Sequence, residues 1–312
     1  MQHATRADGF SFVELLVALT IALGVTASAL LLMNPSQALA ASRSETADMQ
    51  QRLRVAADTL YQRLAAAGAG AYAGVDAGPL IDSRASILPY RAGAGSPDPP
   101  GSFKSDTVTI LSVPRNGAQP AGTTYWLKTE NATATYQLMA VDTASGVDVP
   151  VVDHIVALAL EYFGDAQPPI MRKPLSEPVG PWTTYGPKPA AAAVAPFAAG
   201  ENCVFVSDGS STPQPRLAVL GWAGESLVKL TPSQLTDGPW CPNDGAADRW
   251  DADLLRIRSI AVQLRVQAAV STLRGPASAL FAHGGTSRGG HQWLPDQECW
   301  FQVSPRNLNL RR

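Results

Sequence analysis

Residues 10–33 of the chain read FSFVELLVALTIALGVTASALLLM, and Glu14 is the only charged residue among them. A helix of this length extends roughly 36 Å at about 1.5 Å per residue, which is enough to cross a bilayer core of about 30 Å. A buried helix of a soluble domain is a poor alternative, because such a helix normally has one polar face and this segment has none. The stretch therefore predicts a membrane-spanning helix near the N-terminus.

A cleaved secretory signal explains this segment less well. Such a signal has a basic n-region, an apolar stretch of about 7–15 residues and a cleavage site with small residues. Here the apolar stretch is longer, a small polar leader of residues 1–9 precedes it, and a helical pattern continues beyond it. We therefore expect the apolar segment to remain in the mature protein.

The helical pattern continues behind the apolar segment with a different character. Apolar residues recur there at spacings of three and four between charged and polar residues, which predicts an amphipathic helix with one narrow apolar face. The residues of this face are Met49, Leu53, Ala56, Leu60 and Leu64. Gly68 and Gly70 are suitable stop signals, so we predict one long helix from about Phe10 to Ala67. Pro35 lies inside it, and a proline there either kinks the helix or ends its membrane part.

The remainder of the chain has the composition of a loop-rich globular domain. The protein has 312 residues, of which 46% are apolar and 16% charged, with 26 Gly and 25 Pro. A formal net charge of −2 argues against a dedicated nucleic-acid binder, which normally has a basic excess. We expect a loop over 68–104, a long irregular proline-rich insertion at about 165–200 and a flexible turn over 284–290.

Several segments of this remainder have the pattern of strands. Alternating or β-branched runs predict strands at 106–113, 123–128, 135–141 and 254–269, with the second and third paired around Asn131. Residues 216–222 and 226–230 are a further candidate strand pair, and 151–163 fits either a short helix or a strand. Together with the long helix, these segments predict an α+β fold.

The sequence Gly9-Phe10-Ser11-Phe12-Val13-Glu14-Leu15-Leu16-Val17-Ala18-Leu19 resembles the leader of type IV prepilins and of type II secretion pseudopilins. In that family a dedicated prepilin peptidase cuts after the glycine and methylates the new N-terminal phenylalanine. The positions that match the family here are Gly9, Phe10 and Glu14. The leader departs from the family in carrying Asp8, where a basic residue is usual. Residues 151–162, 251–265 and 303–308 also resemble segments of PilW-type minor pilins, although the likeness beyond residue 72 is patchy.

The resemblance implies a division of the chain into a leader (1–9), a transmembrane and fibre-core helix (10–33), an amphipathic helix (34–70) and a periplasmic β-rich domain (71–312). It implies a pilin-like fold in which the long helix packs on an antiparallel sheet. Cleavage after Gly9 would create an amine at Phe10, and a buried Glu14 carboxylate needs such a positive charge, from its own chain or from a neighbouring one.

The function implied is that of a minor pilin-like structural subunit, assembled into or priming a type IV pilus. Its partners would be the prepilin peptidase, other pilins or pseudopilins and the inner membrane, with the C-terminal domain in the periplasm or in an extracellular pilus. Two alternatives remain open. One is a minor pseudopilin of a type II secretion system, and the other is a membrane-anchored periplasmic binding or enzymatic domain.

The three cysteines are too few for a disulfide framework and lack metal-ligand spacing. The apolar segment would place the domain outside the cytoplasm, where disulfides persist. We therefore favour a disulfide between Cys203 and Cys241 with Cys299 left over, while any of the three pairings remains open.

No catalytic or cofactor motif is recognisable in the chain. The four histidines are scattered, and neither a nucleophile elbow nor a phosphate-binding glycine loop is present, so we expect neither an enzyme nor a cofactor. Five aspartates lie within 237–253, and their spacing does not match a calcium-binding loop. We interpret this segment as a solvated acidic loop, in which Asp251 and Asp253 cap and solubilise the following strand. A calcium site in this loop remains the open alternative.

Overall fold

The computed structural model describes residues 11–69, 85–94, 98–99, 101–112, 121–130, 135–166, 205–206, 214–215, 226–236, 240–243, 246–274, 287–288 and 291–308. For residues 31–39 and some strand residues, it describes the backbone alone. One α-helix, α1, runs without interruption over Phe12–Ala65. The predicted bounds of the long helix are therefore confirmed to within two residues at each end. Since α1 continues past Pro35, the helix does not end there, and both a kink at Pro35 and the end of the membrane part stay predictions.

In the described residues after α1, the chain forms fifteen strands and four short 3₁₀ helices. The strands are β1 Ile87–Leu88, β2 Thr107–Ser112, β3 Ala121–Glu130, β4 Thr135–Asp142, β5 Asp148–Asp153, β6 Ile155–Gly164, β7 Phe205–Val206, β8 Gln214–Pro215, β9 Val228–Lys229, β10 Trp240–Asn243, β11 Ala246–Asp251, β12 Ile257–Val266, β13 Ser287–Arg288, β14 His291–Gln292 and β15 Gln297–Val303. The 3₁₀ helices are Ser233–Leu235, Ala252–Arg256, Ser271–Leu273 and Arg306–Leu308.

Two antiparallel sheets form the body of the β-rich part. The first is a meander with the spatial order β1-β2-β3-β4-β5, and the second has the order β15-β12-β6-β9. Three further antiparallel pairs, β7-β8, β10-β11 and β13-β14, stand apart from them. A long helix with antiparallel sheets is the predicted α+β class.

The core lies where α1 crosses the second sheet. The predicted apolar face of the helix is buried there, with Met49, Ala56, Leu60 and Leu64 inaccessible and Leu53 partly buried. They share one core with the inward side chains of β6, β12 and β15, such as Tyr162, Val262 and Val303. Burial of this apolar face, rather than helix propensity, holds this half of α1 in place.

Most of the strand predictions are confirmed. The segments 106–113, 123–128 and 135–141 are β2, β3 and β4, and β3 pairs with β4, with Glu130 opposite Thr135. Asn131, where the turn was predicted, lies outside the described residues. The ambiguous segment 151–163 is two strands, β5 and β6, interrupted at His154, which has a φ of 63°. A positive φ at a residue that is not glycine is uncommon, so the corner was not visible in the hydrophobic pattern.

Other predictions need correction. The strand expected from residue 254 begins only at Ile257, because residues 252–256 form a 3₁₀ helix capped by Asp251. The candidate strand 226–230 contains β9, which pairs with β6, while 216–222 lies outside the described residues. The expected loop 68–104 contains β1, and the expected turn over 284–290 contains β13. The proline-rich insertion lies outside the described residues, apart from its first two.

Candidate assembly surface

The first half of α1 presents apolar side chains to the surroundings on every side. Between Phe12 and Leu30 the large apolar side chains are exposed, from 47% at Leu16 to 74% at Phe12. This segment is long and apolar enough to cross a membrane, by length and composition, and none of it is buried within the chain. Exposed apolar surface of this extent marks a segment that is covered by lipid or by other protein.

Glu14 lies in the first turn of α1 and takes part in a capping box. Its Oε2 accepts a hydrogen bond from the backbone N–H of Ser11 at 3.0 Å, while Ser11 Oγ accepts one from the N–H of Val13 at 3.2 Å. This arrangement satisfies donors that a helix N-terminus otherwise leaves open. The carboxylate therefore faces the chain segment next to Phe10, although Gly9 and Phe10 themselves lie outside the described residues.

Ser11 is a site residue that our sequence analysis missed. A serine followed three residues later by glutamate, just before an apolar run, is the signature of a capping box. Residues 10–33 contain this signature. The sequence analysis considered Glu14 only as a charge in a membrane segment and not as part of a helix cap.

The second half of α1 is fixed to the β-rich part through a buried glutamate. Glu45 is 6% exposed, and its Oε1 accepts hydrogen bonds from the backbone N–H of Ala269 and, at 3.4 Å, from Arg52 Nη1. Arg52 Nη2 also donates to the exposed Asp48 at 2.7 Å. Glu45 is the first buried residue along the described side chains of α1, so the docked half begins there.

Of the predicted cysteines, only Cys299 has a described side chain. It is a free, half-buried thiol on β15, and burial raises its pKa. Cys203 lies outside the described residues, and Cys241 is described by its backbone alone, opposite Trp250 in the β10-β11 pair. A Cys203–Cys241 disulfide therefore stays a prediction.

The acidic segment 237–253 is only partly described, and there the interpretation as a solvated loop is wrong. Asp251 and Asp253 are both buried. Asp251 Oδ1 accepts from the N–H of Asp253 at 2.8 Å, and Asp253 forms an ion pair with Arg256 at 3.4 Å. The expected capping role of Asp251 is confirmed, although the capped element is a 3₁₀ helix. Among the described side chains, no group of three or more His, Cys, Asp or Glu residues is arranged to hold a metal ion.

A buried charge network beside this segment was not predicted. Arg258 forms an ion pair with Asp165 at 2.7 Å, and Arg256 donates to the carbonyls of Asp165 and Ala166 at 2.8 and 2.7 Å. These contacts fix the chain just where the proline-rich insertion leaves β6. They have the geometry of a structural clamp, and breaking one partner of such a buried pair strongly destabilises a fold.

Comparisons with known proteins add one structural similarity. No protein-family model and no curated protein matches the chain. Among solved structures, the chain is similar to the Type IV-like pilin TTHA1219 from Thermus thermophilus, with 12% sequence identity and a TM-score of 0.31. The match covers 83% of this chain and 97% of that chain. At this identity and TM-score, the similarity does not by itself assign a function to the chain.

Proposed function

We propose that this protein is a minor pilin-like structural subunit, which is processed by a prepilin peptidase and assembled into, or primes, a type IV pilus. The single observation that carries the proposal is the division of α1. One continuous helix has an apolar half, Phe12–Leu30, that no other part of the described chain covers, and a second half that is packed on a β-sheet. A helix built in this way can leave the bilayer only if other apolar helices replace the lipid around it.

The resemblance of residues 9–19 to prepilin leaders supports a processing step. We propose that the peptidase cuts after Gly9 and that Phe10 becomes the methylated N-terminus. The new amine would lie close to the carboxylate of Glu14, which already accepts the Ser11 N–H at 3.0 Å. A buried carboxylate without a partner is costly, so an amine from the same or a neighbouring chain would make burial of Glu14 in a fibre tolerable.

The same arrangement suggests where the protein acts. We propose that Phe12–Leu30 anchors the precursor in the inner membrane as a single pass, with the β-rich domain in the periplasm and, after assembly, in the pilus. Other pilins or pseudopilins would contact the chain through the exposed half of α1. The proposed role is structural and includes no catalytic step.

Intact mass and N-terminal sequencing of the membrane-purified protein test this function. The protein is expressed with an active prepilin peptidase, as wild type and as Gly9→Val. Wild type is expected to begin at Phe10 and to carry one added methyl group, while Gly9→Val keeps Met1. Gly24→Val is the matched control, because an added Cβ at Gly24 meets no atom within 4 Å. It is expected to be processed normally.

The proposal fails if wild type retains Met1 while the peptidase processes a known prepilin in the same cells. Processing of Gly9→Val at the same position would also contradict it. A methylated Phe10 terminus that is found in wild type and is absent from Gly9→Val would support the proposal. The next question would then be which fibre the subunit joins.

A further inference from the structure

Residues 267–269, which directly follow β12, join three elements of the fold; we refer to them as the clasp. The first amide of the clasp donates to the carbonyl of His154 at 3.1 Å. Its last amide donates to the carboxylate of Glu45 on α1. Arg274 donates to its last two carbonyls, at 2.9 Å each. The clasp thus ties the start of the docked helix to the corner between the two sheets.

His154 is the one-residue corner between β5 and β6, where the chain passes from the first sheet to the second. Its φ is 63° and its backbone N–H donates to the carbonyl of Tyr136 at 2.7 Å, so the backbone is fixed on both sides. Within the described part of the chain, the buried Nδ1 of the ring has no hydrogen-bond partner. The same holds for the side-chain amide of Gln267, which is fully buried.

The charges around the His154 ring come from every side of this junction. Arg52 and Glu45 act on its pKa from α1, Arg274 from the segment after the clasp, and Asp153 from β5. Burial of the ring and the two arginines lower the pKa of His154, in that order, while the two carboxylates oppose them. The docked arrangement therefore favours a neutral ring.

We propose that His154 is a proton-operated latch, which holds Glu45 and the N-terminal end of the docked half of α1 on the clasp while its ring is neutral. Protonation leaves the buried Nδ1 with a proton and no acceptor among the described residues. It also adds a positive charge to a junction already influenced by Arg52 and Arg274, and opening the clasp relieves both. Released from Ala269, the helix before Met49 loses its buried polar attachment. The angle at which the exposed half of α1 projects from the β-rich part then becomes variable. This latch does not depend on the proposed assembly role.

The direction of the pH effect follows from the groups at the junction. A histidine in the open state has a pKa of about 6.5, and the docked state lowers that value. The docked state therefore holds fewer protons, and its advantage is present above about pH 6.5 and is lost as the pH falls.

Amide hydrogen exchange of the full chain in detergent micelles tests the latch. Exchange is followed by mass spectrometry at about pH 7.5 and about pH 5, and each rate is corrected for the intrinsic pH dependence of exchange. Peptides that cover 267–273 are expected to show faster corrected exchange at the lower pH, because the pKa of His154 is lowered in the docked state. The internal reference is β3, whose exchange is expected to be unchanged. Equal corrected rates in the clasp at both pH values would overturn the latch.

The variant His154→Asn removes the titrating ring and keeps a residue type that tolerates a positive φ. It is expected to abolish the pH step in the clasp. His291→Asn, which removes a histidine elsewhere in the chain, is the matched control and is expected to keep the step. A step that persists in His154→Asn, or that disappears in His291→Asn, would contradict the proposal.

A measurement on wild type keeps the test independent of how the variants fold. Slow exchange of the imidazole C2 hydrogen reports the titration midpoint of each histidine separately. The midpoint of His154 is expected to lie below about 6.5 and to coincide with the pH at which the clasp opens. Two midpoints that differ by more than about one pH unit would overturn the latch.

Discussion

The two halves of α1 differ in what covers them, although the backbone helix is continuous. Between Phe12 and Leu30 the large apolar side chains are exposed, whereas Met49, Ala56, Leu60 and Leu64 are buried against the second sheet. The exposed half is apolar on all sides and the docked half on one face only. The docked half therefore finds its partner within the chain, while the exposed half needs a partner from outside it.

The strongest test of this difference compares the same truncation in the two halves. Leu60→Ala is expected to lower the free energy of unfolding of the β-rich part by about 2–5 kcal/mol, because it leaves a cavity in the core. Leu23→Ala, in the exposed half, is expected to change it by less than about 0.5 kcal/mol. Chemical denaturation in detergent, followed by tryptophan fluorescence, measures both. Equal losses would mean that both halves are packed within the chain.

A lysine substituted into each half of α1 tests whether the exposed half inserts into a membrane. Leu23→Lys is expected to cost about 2.5–3.5 kcal/mol of membrane insertion and to move the protein partly into the soluble fraction. Val55→Lys is the control, since Val55 is an exposed position of the docked half, with 41% of the residue accessible. It is expected to leave the distribution unchanged. Cell fractionation with alkaline carbonate extraction measures how each variant is distributed between membrane and soluble fractions. A Leu23→Lys protein that stays in the membrane fraction like wild type would contradict membrane insertion through this segment.

The polar attachment of the docked half is tested by two acidic residues that share one arginine. Glu45→Ala is expected to lower the free energy of unfolding by about 1–3 kcal/mol, because the Ala269 N–H loses its acceptor in a part-buried site. Asp48→Ala is expected to cost less than about 1 kcal/mol, because the side chain of Asp48 is 62% exposed. Thermal unfolding of both variants in the same detergent provides the measurement. A larger loss for Asp48→Ala would show that Glu45 does not hold the helix.

The smallest expected effect concerns the free end of the exposed half. Ser11→Ala removes the side-chain cap of α1 and is expected to cost about 1 kcal/mol locally, or about fivefold faster amide exchange in the first turn. Ser28→Ala is the control, since the Ser28 hydroxyl donates to the Gly24 carbonyl inside the helix. It is expected to leave the first turn unaffected. Unchanged exchange in Ser11→Ala would show that the capping box does not order the helix start.

Most of the helix and of the first sheet was predictable, because the signals are local. The spacing of Met49, Leu53 and Leu60 and the alternating pattern of β2 each lie within one short window. The capping role of Ser11 was equally local and was overlooked. By contrast, burial does not alternate along the first half of β12. Arg258 and Ser259 are buried there together with the apolar residues beside them, so the alternating pattern of the sequence did not predict which side chains are buried.

The candidate site could be predicted only in part. The apolar segment and its lone charge, Glu14, follow from composition, while the role of Glu14 in assembly stays a prediction. In the sequence, nothing distinguishes Glu45 from the other polar residues of an amphipathic helix, or His154 from the other residues of an ambiguous segment. Their juxtaposition at the clasp depends on contacts with residues more than one hundred positions away, which no local pattern reports.

By itself, the sequence determined that one half of a long helix is too apolar to remain in water and that the other half has one face to bury, because periodic hydrophobicity is a property of neighbouring residues. The order of the strands, the sharp corner at His154 and the burial of Arg258 beside Asp165 emerge only when the chain is folded. A buried charge or a strained backbone persists only where distant segments converge to satisfy it. That convergence is a property of the whole fold.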